Sequence, residues 1–127
     1  MPNTLLSRLA VTCAALLLTA GAHAGEVVTY TTGGEQFEGY MASAEDGSNG
    51  MVLIVHDWDG LTDYEMKRAD MLAEMGYNAL AIDLFGKGNR PPDVAGRRAE
   101  TGKLYKDRAR MRSLILAGLA EARKRFK

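Results

Sequence analysis

A short apolar run followed directly by polar residues is the clearest pattern in this chain. Residues 51–55 read Met-Val-Leu-Ile-Val, and His56, Asp57, Trp58 and Asp59 follow at once. An unbroken β-branched run of this length predicts a strand buried on both faces, as in a parallel sheet covered by helices. Because open α/β sheets bind ligands beyond the carboxyl ends of their strands, the polar residues mark a candidate site.

A predicted β-hairpin precedes this strand. Residues 26–31 alternate and are rich in β-branched side chains, and residues 36–42 have the pattern of a returning strand after a Gly-Gly pair at 33–34. Glycine pairs between two alternating segments are typical of hairpin turns. We therefore expect 26–31 and 36–42 to pair antiparallel.

A strand–helix–strand unit is predicted next. Thr62 begins a capping-box pattern, which indicates a helix from Thr62 to about Met75. Residues 78–83 then form a second strand of buried character. Because the connections are short, the 51–56 and 78–83 strands should be parallel, with the helix crossing between them.

Helical patterns fill the rest of the chain. Residues 93–101 predict a short helix that is interrupted near Gly102, and residues 104–126 predict a longer one. Apolar residues at helical spacing form the expected buried face of the longer helix. They are Met111, Leu114, Ile115, Leu119, Ala122 and Phe126.

The first 24 residues have the pattern of a secretory signal peptide. Arg8 precedes a nearly uncharged stretch over 9–20, and Ala22-His23-Ala24 supplies the small residues that signal peptidase recognises. We expect cleavage before Gly25, export to the periplasm or medium of residues 25–127 as one domain, and no membrane anchor after cleavage.

Composition limits the kinds of partner and catalytic group that the exported domain can have. The formal net charge is zero, and 46% hydrophobic with 25% charged residues is ordinary for a globular domain. Basic residues are concentrated after residue 86; we interpret them as solvated helix faces and expect no nucleic-acid partner. The single cysteine, Cys13, lies in the leader, so the exported domain has neither a disulfide nor a cysteine nucleophile.

Three motifs resemble the dienelactone hydrolase family of α/β-hydrolases. They are Val52-Leu-Ile-Val-His-Asp-Trp-Asp-Gly-Leu-Thr-Asp63, Leu72-Ala-Glu-Met-Gly-Tyr-Asn-Ala-Leu-Ala-Ile-Asp-Leu-Phe-Gly86, and the weaker stretch from Arg97-Arg98 to Leu104-Tyr105. The resemblance covers nearly all of 25–127. It implies an α/β fold that corresponds to the N-terminal half of an α/β-hydrolase, with a β-hairpin, a parallel βαβ unit and C-terminal helices.

The resemblance also implies an activity and roles for four residues. The family hydrolyses small-molecule esters and lactones, some of them anionic, with a Cys or Ser nucleophile and no cofactor. The Trp58 backbone N–H takes the position of an oxyanion-hole donor, and Asp57 that of an acid that tunes the nucleophile. Arg98 matches a basic residue that binds the substrate carboxylate, and His56 would be a wall of the site.

Three of these residues also have a simpler interpretation. Trp58 would only cover the end of the sheet, Asp57 would only cap a turn, and Arg98 would be a solvated helix charge. Asp83, at the end of the second motif, is expected to fix its own turn.

The nucleophile itself is missing from the printed sequence. Ser43, Ser48 and Ser113 do not lie in the Gly-x-Cys/Ser-x-Gly pattern of the nucleophile elbow. We therefore expect a chain truncated before that elbow and inactive alone.

Two other functions stay open. A metal-dependent hydrolase would use His56, Asp57, Asp59 and Asp83 as ligands, although neighbouring residues on an extended strand point in opposite directions. A non-catalytic exported binding domain would instead use the basic helices as its contact surface.

Overall fold

The computed structural model describes residues 24–127. In this part of the chain a four-stranded sheet is combined with three helices. The elements are β1 (Glu26–Thr32), β2 (Glu35–Ala42), β3 (Met51–Val55), α1 (Asp63–Glu74), β4 (Asn78–Ile82), α2 (Val94–Lys106) and α3 (Arg108–Arg125). The predicted signal peptide, apart from Ala24, lies outside the described residues. Over 24–127, no helix has the length and apolar character needed to span a bilayer.

The sheet is mixed, with the strand order β1-β2-β4-β3. β1 and β2 form the predicted antiparallel hairpin, and β3 and β4 are parallel as predicted. β2 runs antiparallel to β4, with Gly39 opposite Ile82, and this pairing joins the hairpin to the βαβ unit. The fold class is α/β, as expected, and β4 is the inner strand of the sheet between β2 and β3.

β4, rather than β3, is the strand buried on both faces. Ala79, Leu80, Ala81 and Ile82 are all completely buried. β3 lies at the edge of the sheet and is only half-buried, with Val55 44% exposed. The prediction that β3 is buried on both faces is therefore wrong, because within residues 24–127 no strand covers its outer edge.

The helices cover opposite faces of the sheet. Ala79 and Ala81 of β4 belong to the core under α1, whereas Leu80 and Ile82 belong to the core under α3. α3 approaches closely at Gly118, where a Cβ atom would lie 2.7 Å from Cγ2 of Ile82. Only glycine lets the helix backbone lie directly on the central strand.

The caps of the helices explain where each one begins. At the start of α1, the Glu65 carboxylate accepts the backbone N–H of Thr62 at 2.8 Å, which confirms the predicted capping box. α2 continues through Gly102, so the predicted interruption there is wrong. The break falls at Asp107, whose side chain accepts the backbone N–H of Arg110 at 2.9 Å and caps α3.

Candidate functional site

The candidate site is formed by the loops that follow β3 and β4, together with α2. His56 connects the two loops: its Nδ1 donates to the carbonyl oxygen of Asp57 at 2.7 Å, and its Nε2 accepts the backbone N–H of Leu84 at 3.0 Å. The ring is buried and meets Phe85 edge-on, with ring centroids 4.6 Å apart. Both ring nitrogens are therefore occupied, which leaves His56 as a wall of the site without a free lone pair.

A tight turn over residues 57–60 presents Trp58. The Gly60 N–H donates to the Asp57 carbonyl at 3.4 Å, and Gly60 has a φ of +91° that favours glycine. A Cβ at Gly60 would also come within 3.2 Å of the Phe85 ring. Among the described residues, no acceptor bonds the backbone N–H of Trp58. This N–H is therefore unpaired within the part of the chain that the structure describes.

The Trp58 indole is covered by the start of α2. The Arg97 guanidinium lies 5.5 Å from the centre of the ring, and the Trp58 residue remains 41% exposed. A cavity of about 240 Å³ adjoins it, lined by Trp58, Arg98, Thr101, Gly102 and Tyr105. Trp58 and Arg98, both selected from the sequence, thus share one cavity, whereas the sequence analysis did not select Arg97.

A larger, mostly apolar cavity of about 370 Å³ lies beside the first and shares Trp58, Thr101 and Tyr105 with it. Its apolar lining includes Met111 and Ile115 of α3. The hydroxyl oxygen of Thr101 is buried without a hydrogen-bond partner among the described residues. An unpaired buried hydroxyl at a cavity is a candidate ligand contact, and its helical position gave no sequence signal for this role.

Asp57 and Asp59 form a carboxyl pair beside the turn. The side-chain hydrogen bond to Asp57 raises the pKa of Asp59 above its usual 3.8, and partial burial and the nearby negative charges of Asp57 and Glu65 act in the same direction. Nowhere in 24–127 do three His, Cys, Asp or Glu side chains converge as a metal-ion site. The set of His56, Asp57, Asp59 and Asp83 therefore does not form a ligand cluster, and both nitrogens of His56 are already hydrogen-bonded.

Asp83 and Arg90 hold the second loop in place. Asp83 is completely buried and accepts the backbone N–H groups of Phe85 and Gly86 at 2.8 and 3.0 Å, which confirms that it fixes its own turn. Arg90 lies 3.4 Å from the Asp83 carboxylate and donates to the carbonyl oxygen of Leu61.

Arg90 also reaches the hairpin, because it donates to Glu38 of β2 at 3.2 Å. It therefore connects β2 with both loops of the site. No local sequence pattern marks Arg90, because two of its partners, Leu61 and Glu38, are distant in the chain.

Comparison with known proteins identifies the class. The open strand order, the crossover helix and the turn after β3 are those of the front part of an α/β-hydrolase. The model of the dienelactone hydrolase family matches residues 37–126. This chain belongs to the dienelactone hydrolase family.

Solved structures agree with this assignment. A protein called m3DLH is 36% identical with a TM-score of 0.69, and the match covers 76% of this chain and 42% of m3DLH. The dienelactone hydrolase-like promiscuous phosphotriesterase P91 from metagenomic libraries is 29% identical with a TM-score of 0.67, with the same coverage. The chain therefore spans less than half the length of either structure. Among curated proteins, none matches it.

Proposed function

We propose that this chain provides the front half of the active site of an exported hydrolase that acts on carboxylic esters or lactones. Family membership supports the reaction class. The observation that carries the proposal is the unpaired Trp58 N–H in a turn whose side chains line an apolar cavity. Such a cavity with a few polar groups is the usual form of a small-molecule site.

The Trp58 N–H would act as one donor of an oxyanion hole. During attack on an ester carbonyl, negative charge develops on the carbonyl oxygen, and a fixed backbone donor stabilises that charge more than it stabilises the substrate. His56 and Gly60 fix the turn by bonding the Asp57 carbonyl from two sides. The donor is therefore held in place before the substrate arrives.

Substrate binding would use the two adjoining cavities. The apolar side chains around Met111 and Ile115 suit the hydrocarbon part of an ester. Arg98 and Thr101 line the smaller cavity, where the Arg98 guanidinium suits a carboxylate on the substrate. We infer a preference for small anionic esters or lactones.

Asp57 would tune a nucleophile supplied from outside these 127 residues. Its side chain is exposed beside the turn, and its carboxyl pairs with that of Asp59. The printed sequence has no Gly-x-Cys-x-Gly or Gly-x-Ser-x-Gly. One oxyanion donor and a carboxylate can polarise a carbonyl group but cannot attack it, so we expect no turnover by this chain alone.

Phosphotriester hydrolysis is the second candidate. P91 is described as a promiscuous phosphotriesterase and shares the fold of this chain. Attack on a phosphotriester also places negative charge on a terminal oxygen, which the same N–H would stabilise. The test of function must therefore include both carboxylic esters and a phosphotriester.

The test is a hybrid in which residues 37–126 replace the matching part of m3DLH, hereafter the hybrid. Neutral aryl esters, an aryl ester with a free carboxylate, and an aryl phosphotriester are offered to the hybrid and to the 127-residue chain. We expect the hybrid to hydrolyse the anionic ester with the highest kcat/KM, and the short chain to be inactive.

Two outcomes would contradict the proposal. A folded hybrid without esterase activity would show that residues 37–126 do not form a working half-site. Salt-sensitive binding of the chain to anionic polymers, combined with an inactive hybrid, would favour the binding-domain alternative.

A further inference from the structure

The carboxylate of Asp70 lies beside Gly25, the residue just before β1. The backbone nitrogen of Gly25, one residue before β1, donates to Oδ1 of Asp70 on α1 at 3.0 Å. The hydroxyl of Tyr40 donates to both carboxylate oxygens of Asp70, at 3.0 and 3.1 Å. Tyr40 is 8% exposed and is part of the core under α1. Asp70 is therefore fixed in orientation, with one oxygen directed at residue 25.

Residue 25 fits this position only without a side chain. A Cβ atom there would lie 2.7 Å from Cε1 of the Tyr40 ring and would overlap the carbonyl oxygen of Met41. Because the obstacle includes backbone of β2, a side-chain shift cannot remove it. The close approach of the residue 25 nitrogen to Asp70 thus depends on glycine.

We propose that Tyr40 and Asp70 form a receptor for the amino group that is created at Gly25 when the leader is removed. Hydrolysis of the Ala24–Gly25 peptide bond by a signal peptidase of the host consumes one water. It leaves a carboxylate on Ala24 and an ammonium group on Gly25. This inference rests on the proposed export and adds a destination for the new N-terminus.

Cleavage changes the chemistry of the contact. The Gly25 amide has one N–H and no charge, whereas the free ammonium group has three donors and a full positive charge. The hydrogen bond to Asp70, in which only the acceptor is charged, becomes an ion pair with a charge on both partners, which is shorter and stronger. The pair would tie the start of β1, an edge strand, to α1 on the face of the sheet.

The experiment follows the reactivity of the new amine. The full chain with its leader is produced in an exporting bacterium, and intact mass identifies the first residue. The purified protein is treated with the N-hydroxysuccinimide ester of acetic acid at about pH 7, where an α-amine reacts in preference to lysine. Labelling of Gly25 is followed by peptide mass spectrometry in native protein and in urea.

We expect a first residue of Gly25 and labelling about tenfold slower in native protein than in urea, the ratio that a charge-assisted hydrogen bond supports. Asp70→Asn should remove most of this protection, whereas Asp63→Asn, on the exposed first turn of α1, should preserve it. Tyr40→Phe keeps the charge but frees the carboxylate, so it should lose part of the protection. If the Asp70→Asn protein does not accumulate, the labelling rate of Tyr40→Phe tests the proposed receptor instead.

Failure of the predicted cleavage and failure of the receptor give different results. A chain that starts at Met1, or at any residue other than Gly25, overturns both export with this cleavage site and the receptor. Correct cleavage with equal labelling in native and unfolded protein, or with equal protection in the Asp63→Asn and Asp70→Asn variants, overturns the receptor alone.

Discussion

Nε2 of His56 accepts the backbone N–H of Leu84 at 3.0 Å, so a single side chain couples the loop after β3 to the loop after β4. Its other nitrogen bonds the Asp57 carbonyl at 2.7 Å, next to the proposed oxyanion donor. The position of Trp58 therefore depends on a contact made with the second loop.

Replacing His56 with phenylalanine should destabilise the hybrid. The ring would still fill the space, but the Leu84 N–H would lose its acceptor, which costs about 1–3 kcal/mol for a buried donor. Urea unfolding measures the loss. His56→Gln retains a side-chain acceptor and serves as the matched control. Equal stability of His56→Phe and the parent would show that the contact does not support the loop.

Removing Arg90 should loosen both loops together. Arg90→Leu leaves the buried Asp83 carboxylate without its cation, and since the guanidinium side chain is 26% exposed we expect a loss of about 1–3 kcal/mol, below that of a fully buried pair. Lys87→Leu changes an exposed cation in the same loop and should have little effect on urea unfolding. If both variants unfold alike, Arg90 does not have the connecting role.

Asp57→Ala tests the proposed tuning of the nucleophile. In the hybrid, kcat for an aryl ester should fall by about tenfold to a thousandfold, within the range of positioned acid–base groups. Asp46→Ala, in the exposed loop before β3, is the control for loss of one negative charge. A kcat that changes no more than in the control would leave Asp57 as a turn residue only.

Arg98→Ala should affect binding rather than chemistry. We expect KM for the carboxylate-bearing ester to rise by about tenfold, the cost of one charge-assisted hydrogen bond. The KM of a neutral ester of similar size should not change. Arg112→Ala removes an exposed cation from α3 and controls for net charge. A similar rise in KM for both esters would argue against a carboxylate site.

Asp59 should give the stability of the hybrid a distinct pH dependence. Because its pKa is raised in the folded protein, chiefly by the hydrogen bond to Asp57, the folded state holds this proton more tightly than the unfolded chain. Its contribution to stability is thus present below pH 3.8 and is lost as the pH rises through the raised pKa.

Asp59→Asn should therefore raise the urea midpoint at pH 7 relative to the parent, and the difference should shrink near pH 4. Asp63→Asn, which changes a carboxylate on the first turn of α1, controls for overall charge. If the urea midpoints of Asp59→Asn and the parent differ by the same amount at every pH, the raised pKa of Asp59 would be contradicted.

Local patterns predicted the elements well. The β3–α1–β4 unit follows from an apolar run, a capping box and short connections, all of which act over a few residues. The burial of β3 was predicted wrongly, because burial depends on which strands lie beside it. The break between α2 and α3 was placed at Gly102, whereas the Asp107 side chain provides the cap that separates them.

The residues of the candidate site likewise fall into those that local motifs indicate and those that only long-range contacts define. Trp58 and Arg98 were selected from motifs, and they do line one cavity. Arg90 was not selected, because its contacts with Leu61 and Glu38 span 29 and 52 residues of sequence. Thr101 borders both cavities because α2 brings it beside Trp58, a long-range contact that no local pattern indicates.

Gly118 has a consequence for the size of the larger cavity. It lets α3 lie directly on Ile82, and Met111 and Ile115 of the same helix line the larger cavity. A bigger residue at 118 would lift the helix and move both side chains away from the sheet. The volume of the larger cavity thus depends on a residue that does not line it, so a change at 118 would reshape the proposed substrate site without altering any of its lining residues.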